Sequence, residues 1–203
     1  AALAQDEGNA SYAEKHWSVL SKWADYLLEN GMDPENQLTT DDFAGPSAHN
    51  ANLSAKAIMG IACYGRLAEM LGKKDLAKEY TDTARKMATQ WMAMAKEGNH
   101  YKLTFDRPGT WSLKYNLVWD KILNLNIFPK SVMQDEIAFY LTKQNKYGVP
   151  LDSRKTYTKS DWINWTATMA DNKATFEEFI DPLYKYITET PDRIPLSDWH
   201  ETI

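Results

Sequence analysis

The chain has 203 residues, of which 43% are hydrophobic and 25% charged, and this ordinary globular composition argues against disorder. Its 23 basic and 28 acidic residues give a net charge of −5, and no basic block occurs, so we expect no nucleic-acid partner. No apolar run approaches the ~20 residues that a membrane-spanning helix needs, so we expect no membrane partner.

Apolar residues recur at helical spacing along most of the chain and predict seven helices. Ser131 with Gln134 forms a capping-box pattern that would open the fifth, and Pro182 is expected to kink or split the seventh. The first predicted helix contains Trp17 and Leu27 and stops at Gly31. The third contains Tyr80 and Trp91 and ends near Gly98, and the seventh contains Phe176 and Ile187. The second, fourth, fifth and sixth predicted helices cover 51–71, 115–125, 131–144 and 160–169.

The connections between these helices alternate in length. Long connections at 30–50, 98–110 and 145–159 are separated by tight turns at 72–74, 126–130 and 170–172, and a long tail follows at 190–203. If neighbouring helices run antiparallel, all the long connections emerge at one end of the array. No segment alternates at period two, so we predict an all-α fold whose long loops share one face.

A weak internal repeat supports a helical-hairpin array. Asp106, Asp152 and Asp198 each follow a similar short segment and lie 46 residues apart, about the length of a helical hairpin with its loop. An α/α toroid gathers its long loops around one funnel and suits this pattern better than an open solenoid. Seven helices make about half of a twelve-helix ring, so either the remaining helices lie in upstream sequence or the fold is a smaller array. We expect residues 1–203 to form a single all-α domain.

The first long loop holds the strongest candidate residues. Asp41 and Asp42 are adjacent carboxylates, a pattern suited to general acid or base chemistry when both point into one cleft. His49, Asn50 and Asn52 would donate hydrogen bonds to a substrate amide or hydroxyl. The structural alternative is that Asp41 or Asp42 forms an Asx turn and that Asn50 or Asn52 caps the second helix.

The third long loop mixes both charge signs with aromatic residues. Arg154 would clamp a substrate carboxylate in a bidentate pair, and Asp152 or Asp161 would act as a base. The structural alternative is that Arg154 pairs with a neighbouring aspartate and that Asp161 stabilises the start of the sixth helix. Further candidates for substrate binding are Asp106, Trp111, Tyr157, Trp162 and Trp199.

Several kinds of site are missing from the sequence. The four histidines are scattered and no zinc-binding pattern occurs, so no metal site is predicted. No nucleotide-binding loop, serine elbow or Ser-x-x-Lys dyad occurs, and no cofactor is expected. Carboxylate-driven hydrolysis or binding without catalysis remains.

Six segments of the chain resemble the C-terminal part of the glutaminase A family. They are TTDDFAG (39–45), HNANLSAKA (49–57), WSLKYN (111–116), YGVPLDSR (147–154), YTKSDW (157–162) and PLSDW (195–199). The resemblance implies a six-hairpin glycosidase-like α/α toroid in a large extracytoplasmic protein, periplasmic or secreted, with further domains upstream. It also implies hydrolysis of L-glutamine to glutamate and ammonia, and it assigns no catalytic residue.

Three hypotheses about function follow. In a glutaminase-like hydrolase, Asp41 or Asp42 would activate water, His49, Asn50 or Asn52 would assist the leaving ammonia, and Arg154 would hold the substrate α-carboxylate. In a glycosidase-like domain, two carboxylates would flank a glycosidic bond while tryptophans stack on the sugar. The third hypothesis is a non-catalytic binding or scaffold module. The tryptophans proposed to stack on sugar are Trp111, Trp162 and Trp199.

An arc of a larger ring would expose apolar surface on its end helices. We expect this surface at Leu3, Tyr12 and Trp17 at one end and at Tyr184 and Ile187 at the other. The upstream domains of the same parent chain would cover it, or a second copy would do so in a homodimer.

Overall fold

The computed structural model describes residues 1–191 and 194–203 and divides the chain into two compact units. The first unit comprises Ala1–Met94 and Trp119–Phe128, and the second comprises Ala95–Val118 and Pro129–Ile203. Within the described residues, no helix combines the length and the apolar character that crossing a bilayer requires. The prediction of a single domain over 1–203 stays a prediction.

In the first unit, α3 (Trp17–Asn30) and α5 (Lys74–Ala95) pack against α4 (Ala51–Met70). This helix buries small and branched side chains such as Ala55, Ile58 and Ile61, and Gly65 lets α5 approach because a Cβ there would lie 2.9 Å from Thr81 Oγ1. The fully buried Trp91 donates from Nε1 to the Ala51 carbonyl over 2.8 Å. The helices are α1 (Ala2–Glu7), α2 (Ser11–Lys15), α3 (Trp17–Asn30), α4 (Ala51–Met70), α5 (Lys74–Ala95) and α6 (Val118–Ile122).

In its described residues, the second unit combines three α-helices with two short antiparallel ribbons. Helix α8 (Ser160–Thr168) packs on α9 (Lys173–Glu189) and on strand β3 (Tyr157–Lys159). The ribbon that β3 forms with β4 (Trp199–Glu201) is therefore fixed against the helices. The elements are β1 (Lys96–Glu97), β2 (His100–Tyr101), α7 (Lys130–Leu141), β3 (Tyr157–Lys159), α8 (Ser160–Thr168), α9 (Lys173–Glu189) and β4 (Trp199–Glu201). Since the strands hold two or three residues each, the helical prediction is confirmed.

The fourth predicted helix is shorter than expected. Tyr115–Leu117 forms a 3-10 turn before α6, and the helix ends at Ile122 because Asn124 and Asn126 adopt left-handed backbone angles, with φ of 51° and 56°. The buried Asp120 carboxylate then accepts the backbone N–H of Ile127, over 3.1 Å, which fixes the turn.

Two details of the predicted helix boundaries are wrong. Helix α7 begins at Lys130 after Pro129 and has no side-chain cap, so the capping box expected at Ser131 does not form. Pro182 does not split α9, which runs unbroken from Lys173 to Glu189. A proline leaves the carbonyl four residues earlier without its helical donor. Here Gln144 Nε2 supplies that donor to the Glu178 carbonyl over 2.8 Å, and the helix continues.

The end helices expose part of the apolar surface that was expected. Leu3, Tyr12 and Tyr184 are 49%, 58% and 66% exposed. Trp17 is not exposed in this way, because its ring stacks on Tyr64 with centroids 4.6 Å apart, and Ile187 is half-buried. Covering of this surface by upstream domains or by a second copy stays a prediction.

Acid should destabilise the second unit through His200 on β4. This buried ring stacks on Tyr186 at 3.7 Å and donates from Nε2 to the Tyr147 carbonyl, and burial lowers its pKa. The unfolded state therefore binds more protons below the ordinary histidine pKa, and stability falls as the pH drops. We expect His200→Phe, which keeps a stacked ring, to weaken the loss of stability measured by chemical unfolding between about pH 7.5 and about pH 5. An identical pH dependence in the variant would show that His200 does not contribute.

Candidate functional site

The carboxylates of the first long loop stand at a tight turn. Asp41 is half-buried and precedes the 3-10 turn Asp42–Ala44; its backbone N–H bonds Thr39 Oγ1 at 3.2 Å, and its carbonyl accepts the Ala44 N–H. Asp42 is exposed. A backbone 3-10 turn is therefore present here, but the Asp41 side chain makes no capping hydrogen bond to it, so the Asx turn expected as the structural alternative is not formed by Asp41. The catalytic role of Asp41 and Asp42 stays a prediction.

The remaining candidates of this loop also have structural partners. His49 Nδ1 lies 2.8 Å from Asp33 Oδ1, and the His49 backbone has a left-handed φ of 57°. Asn50 caps α4, because its Oδ1 accepts the Leu53 backbone N–H at 2.8 Å. Asn52 lies buried in the first turn of α4. The predicted cap is confirmed for Asn50, and the amide N–H2 of this residue does not take part in the cap.

Substitutions at Asn50 separate its structural role from the predicted functional one. Asn50→Ala removes the cap and should lower the free energy of unfolding by about 1 kcal/mol. Asn50→Asp keeps the capping oxygen but removes the amide donors, so its stability should stay near that of the wild type. An activity loss in Asn50→Asp, measured beside chemical unfolding, supports the functional role, whereas wild-type activity in this variant contradicts it.

Two cavities of the first unit lie outside the predicted residues. A cavity of about 360 Å³ beside the first long loop is lined largely by apolar groups, including Tyr26, Leu27 and Leu53. A cavity of about 440 Å³ lies between α4 and α5, where Arg66 pairs with Glu69 and Lys78 with Asp82. Of the residues that the structure describes, Asp41, Asp42 and His49 line neither cavity. Volume alone therefore gives no reason to place the chemistry in either cavity.

The second unit brings four of the six segments together. Backbone hydrogen bonds join residues 111–116 to 147–154 and 147–154 to 157–162. They also join 157–162 to Asp198 and β4, and 147–154 to Thr202, which follows β4. The Leu113 N–H donates to Leu151 over 2.8 Å, the Leu151 N–H to Tyr157 over 3.0 Å, and the Tyr147 N–H to Thr202 over 2.8 Å. Within this unit, the long connection at 145–159 therefore lies beside residues 111–113, just after the preceding long connection, and beside the C-terminal tail. That all the long connections share one face stays a prediction.

Asp152 and Arg154 form an ion pair at the junction of these segments. The guanidinium donates from Nε to Asp152 Oδ1 over 2.9 Å and from one terminal nitrogen to Oδ2 over 2.6 Å. The Arg154 backbone N–H also donates to Oδ1. The Asp152 side chain is 4% exposed and that of Arg154 is 33% exposed. The carboxylate thus holds a guanidinium that reaches solvent, and the predicted pairing of Arg154 with a neighbouring aspartate is confirmed.

Trp111 lies next to this pair. Its backbone N–H bonds Ser153 Oγ at 3.2 Å, and its half-buried ring packs edge-on against Phe139. The ring of His100 also stacks on Phe139, with the ring centroids 4.1 Å apart. Asp106, in the preceding loop, is exposed. Of these residues, the structure joins Trp111 directly to the segment that carries Asp152 and Arg154.

The other predicted residues of this unit lie on the β3–β4 ribbon and in the first turn of α8. Asp161 is half-buried in the first turn of α8, where its Oδ1 accepts the Trp162 backbone N–H over 3.0 Å. Trp162 stacks on Tyr115 at 4.1 Å with the rings nearly parallel. Tyr157 meets the ring of Trp199 edge-on at 5.5 Å, and Trp199 is 51% exposed.

A buried charged cluster beneath this region was missed by sequence reasoning. Lys114, Glu136 and Tyr140 are entirely buried, and Lys114 Nζ lies 3.7 Å from Glu136 Oε2. Burial lowers the pKa of Lys114 and raises those of Glu136 and Tyr140, while each charge of the pair opposes the shift of the other. The sequence contained one signal of a buried charge, because Glu136 interrupts the buried face of α7 that includes Val132 and Tyr140.

No group of histidine, cysteine, aspartate and glutamate side chains with the geometry of a metal site occurs among residues 1–191 and 194–203.

Comparisons with known proteins relate the whole chain to one family. A model of the glutaminase A six helical-hairpin domain matches residues 1–203. Glutaminase A of Aspergillus oryzae is 37% identical over 205 residues, which cover 99% of this chain and 30% of that protein. A protein of Arthroderma benhamiae named "Probable glutaminase" is 30% identical over 94% of this chain and 25% of its own length. The chain therefore spans less than a third of these relatives, and the helical-hairpin fold expected from the sequence is confirmed.

Proposed function

The chain belongs to the glutaminase A family, and from this premise we propose that it contributes to hydrolysis of the side-chain amide of L-glutamine, releasing glutamate and ammonia. The names of the two relatives support this substrate. Because the chain covers 30% and 25% of those proteins, the proposal concerns the full-length protein that carries it.

The Asp152–Arg154 pair is the observation that supports an amino-acid substrate most directly. A guanidinium has five N–H donors in a planar fork, and Asp152 accepts two of the side-chain N–H bonds. The pair fixes the plane of the guanidinium, while a third of the Arg154 side chain faces solvent. In the proposed complex, this exposed part of Arg154 binds the α-carboxylate of glutamine in a charge-assisted contact.

Hydrolysis requires a base for the attacking water. In the proposed reaction a carboxylate removes a proton as water adds to the amide carbon, and the same proton passes to the nitrogen as the C–N bond breaks and ammonia leaves. In the second unit we assign the base to Asp161, which is half-buried and lies at the start of α8.

The first unit carries a separate candidate for the base. There Asp41 or Asp42 would activate water, and His49, Asn50 or Asn52 would donate hydrogen bonds to the developing oxyanion or to the leaving nitrogen. The half-buried position of Asp41 supports this assignment, while the bonds of His49 and Asn50 within the loop weigh against it.

A second candidate function is hydrolysis of a saccharide. Trp199 exposes half of its surface beside the perpendicular ring of Tyr157, and the Lys159–Asp198 ion pair adds polar groups on the same ribbon. Such a surface suits a sugar ring, whose apolar face stacks on an aromatic side chain while its hydroxyls bond to polar groups.

Ammonia release by the full-length protein tests these assignments. We expect turnover of L-glutamine, with a loss of about 100-fold or more in kcat for the variant that removes the base. The variants are Asp161→Asn, Asp41→Asn and Asp42→Asn, each checked for folding by circular dichroism. Unchanged rates in all three would remove these carboxylates from the mechanism, and turnover of oligosaccharides without ammonia release would replace the amide substrate with a sugar.

A further inference from the structure

The buried cluster of Lys114, Glu136 and Tyr140 forms a continuous hydrogen-bonded network. Glu136 Oε1 accepts the Tyr101 backbone N–H over 2.8 Å, and Glu136 Oε2 accepts the Tyr140 hydroxyl. The Tyr140 oxygen in turn accepts the Lys114 backbone N–H over 2.8 Å. Each member therefore contacts another member of the cluster, and the backbone of β2 at Tyr101 and the backbone of Lys114 are both tied to α7.

The contacts of the Lys114 side chain are those of a charged ammonium group. Its Nζ lies 3.0 Å from the Tyr101 carbonyl, 2.9 Å from the Ser112 carbonyl and 3.1 Å from Ser112 Oγ. An ammonium has three N–H donors, and these three acceptors with the Glu136 carboxylate surround it. Two of the three bonds go to a single residue, Ser112.

Ser112 connects this network to the candidate site. It pairs with Asp152 in an antiparallel bridge, and its neighbours continue the pairing through Leu113 N–H to the Leu151 carbonyl and Ser153 N–H to the Trp111 carbonyl. The Asp152 carboxylate is close enough to raise the pKa of Lys114. The ammonium thus binds Ser112, whose backbone pairs with that of Asp152, and Asp152 in turn holds Arg154.

We propose that Lys114, Glu136 and Tyr140 are positioning residues for the Asp152–Arg154 pair, acting through Ser112. The role in substrate binding rests on the proposed function, whereas the positioning of the pair does not. Lys114 fixes Ser112, and Glu136 with Tyr140 keeps Lys114 in place within the interior.

Energetics favour this role over one in stability alone. Moving two charges into the interior is costly, and a buried ion pair replaced by well-packed uncharged side chains often leaves stability unchanged or higher. The pair is therefore poorly explained as a device for stability. The contacts of the pair converge on Ser112, which pairs with Asp152. The ion pair therefore defines the geometry of the segment that carries Asp152 and Arg154.

The test is hydrogen–deuterium exchange of the full-length protein with the double variant Lys114→Met/Glu136→Gln. This variant leaves no unpaired charge in the interior, and glutamine at 136 can still accept the Tyr101 N–H. We expect peptides covering 111–114 and 150–155 to exchange at least about tenfold faster, while α4, α8 and α9 keep their protection. The matched control is Lys173→Met/Glu177→Gln, which removes an exposed lysine–glutamate pair on α9 of the same unit and should change neither peptide.

Two results would overturn the positioning role. One is unchanged exchange at 150–155 in the double variant, and the other is a uniform increase across α8 and α9, which would indicate a purely structural role. If the double variant does not fold, Tyr140→Phe provides the same comparison, with faster exchange expected at the same peptides and unchanged exchange contradicting the proposal.

A kinetic measurement separates this inference from the proposed function. With glutamine as substrate, the double variant should raise KM about tenfold and leave kcat within about twofold of the wild type. If the wild-type protein releases no ammonia from glutamine, the proposed function fails while the exchange result still decides the positioning role. A fall in kcat with KM unchanged would contradict the positioning of a binding residue.

Discussion

Lys114→Ala is expected to lower the free energy of unfolding by about 3–5 kcal/mol, the cost typical of leaving one partner of a buried ion pair without its counter-charge. The substitution also removes the donors to Tyr101 and Ser112 and leaves an unfilled space around a side chain that is 0% exposed. Chemical unfolding followed by tryptophan fluorescence measures the change. A loss below about 1 kcal/mol would show that the interior accommodates the lone carboxylate.

The Lys114→Ala variant should also acquire a characteristic pH dependence. Burial already raises the pKa of Glu136, and removal of the lysine charge removes the main opposing effect. A carboxyl group whose pKa is higher in the folded state binds more protons there, so stability falls as the pH rises. We therefore expect a smaller loss of stability at about pH 5 than at about pH 8. Lys173→Ala, which breaks the exposed pair with Glu177, is the control and should cost less than about 1 kcal/mol.

Arg154→Met is expected to raise KM for L-glutamine by about 10- to 100-fold in the full-length protein, because a hydrogen bond to a charged group contributes roughly 1.5–3 kcal/mol. Ammonia release measured over a range of glutamine concentrations gives both kcat and KM. The same variant should have little effect on hydrolysis of an amide that lacks the α-carboxylate, because that substrate offers Arg154 no charged partner.

Two control variants define what Arg154 contributes. Lys155→Met removes the adjacent exposed cation and should leave KM unchanged, which separates a specific contact from general charge. Arg154→Lys keeps the charge but lacks the planar fork that Asp152 holds, so an intermediate KM is expected. An equal loss on both amide substrates in Arg154→Met would assign the residue a structural role through Asp152 instead of substrate binding.

The sequence predicted the helices well because their signal is local. Helix α3 follows from the spacing of Trp17, Leu20, Trp23 and Leu27 and ends where Gly31 interrupts it. The predictions failed where a distant contact decides the outcome. Pro182 was expected to kink or split α9. The helix is not split, because the side chain of Gln144, 38 positions earlier, satisfies the carbonyl that the proline leaves open.

The candidate site shows the same division. The sequence alone identified Arg154, Asp152 and Trp111 as chemically suited residues, and a near neighbour such as Asp152 was a foreseeable partner for Arg154. Their meeting depends on pairing between segments about 40 residues apart, such as Leu113 with Leu151, which periodicity does not encode.

The buried network was decided by tertiary structure alone. Lys114 and Glu136 are common surface residues when taken singly, and 22 positions separate them in the chain. Only the folded second unit removes both from water and surrounds the ammonium with the Tyr101 and Ser112 oxygens. The sequence determined the helices because each depends on neighbours within a few turns. The charge pair depends on burial and on partners brought together from distant segments, so only the fold could determine it.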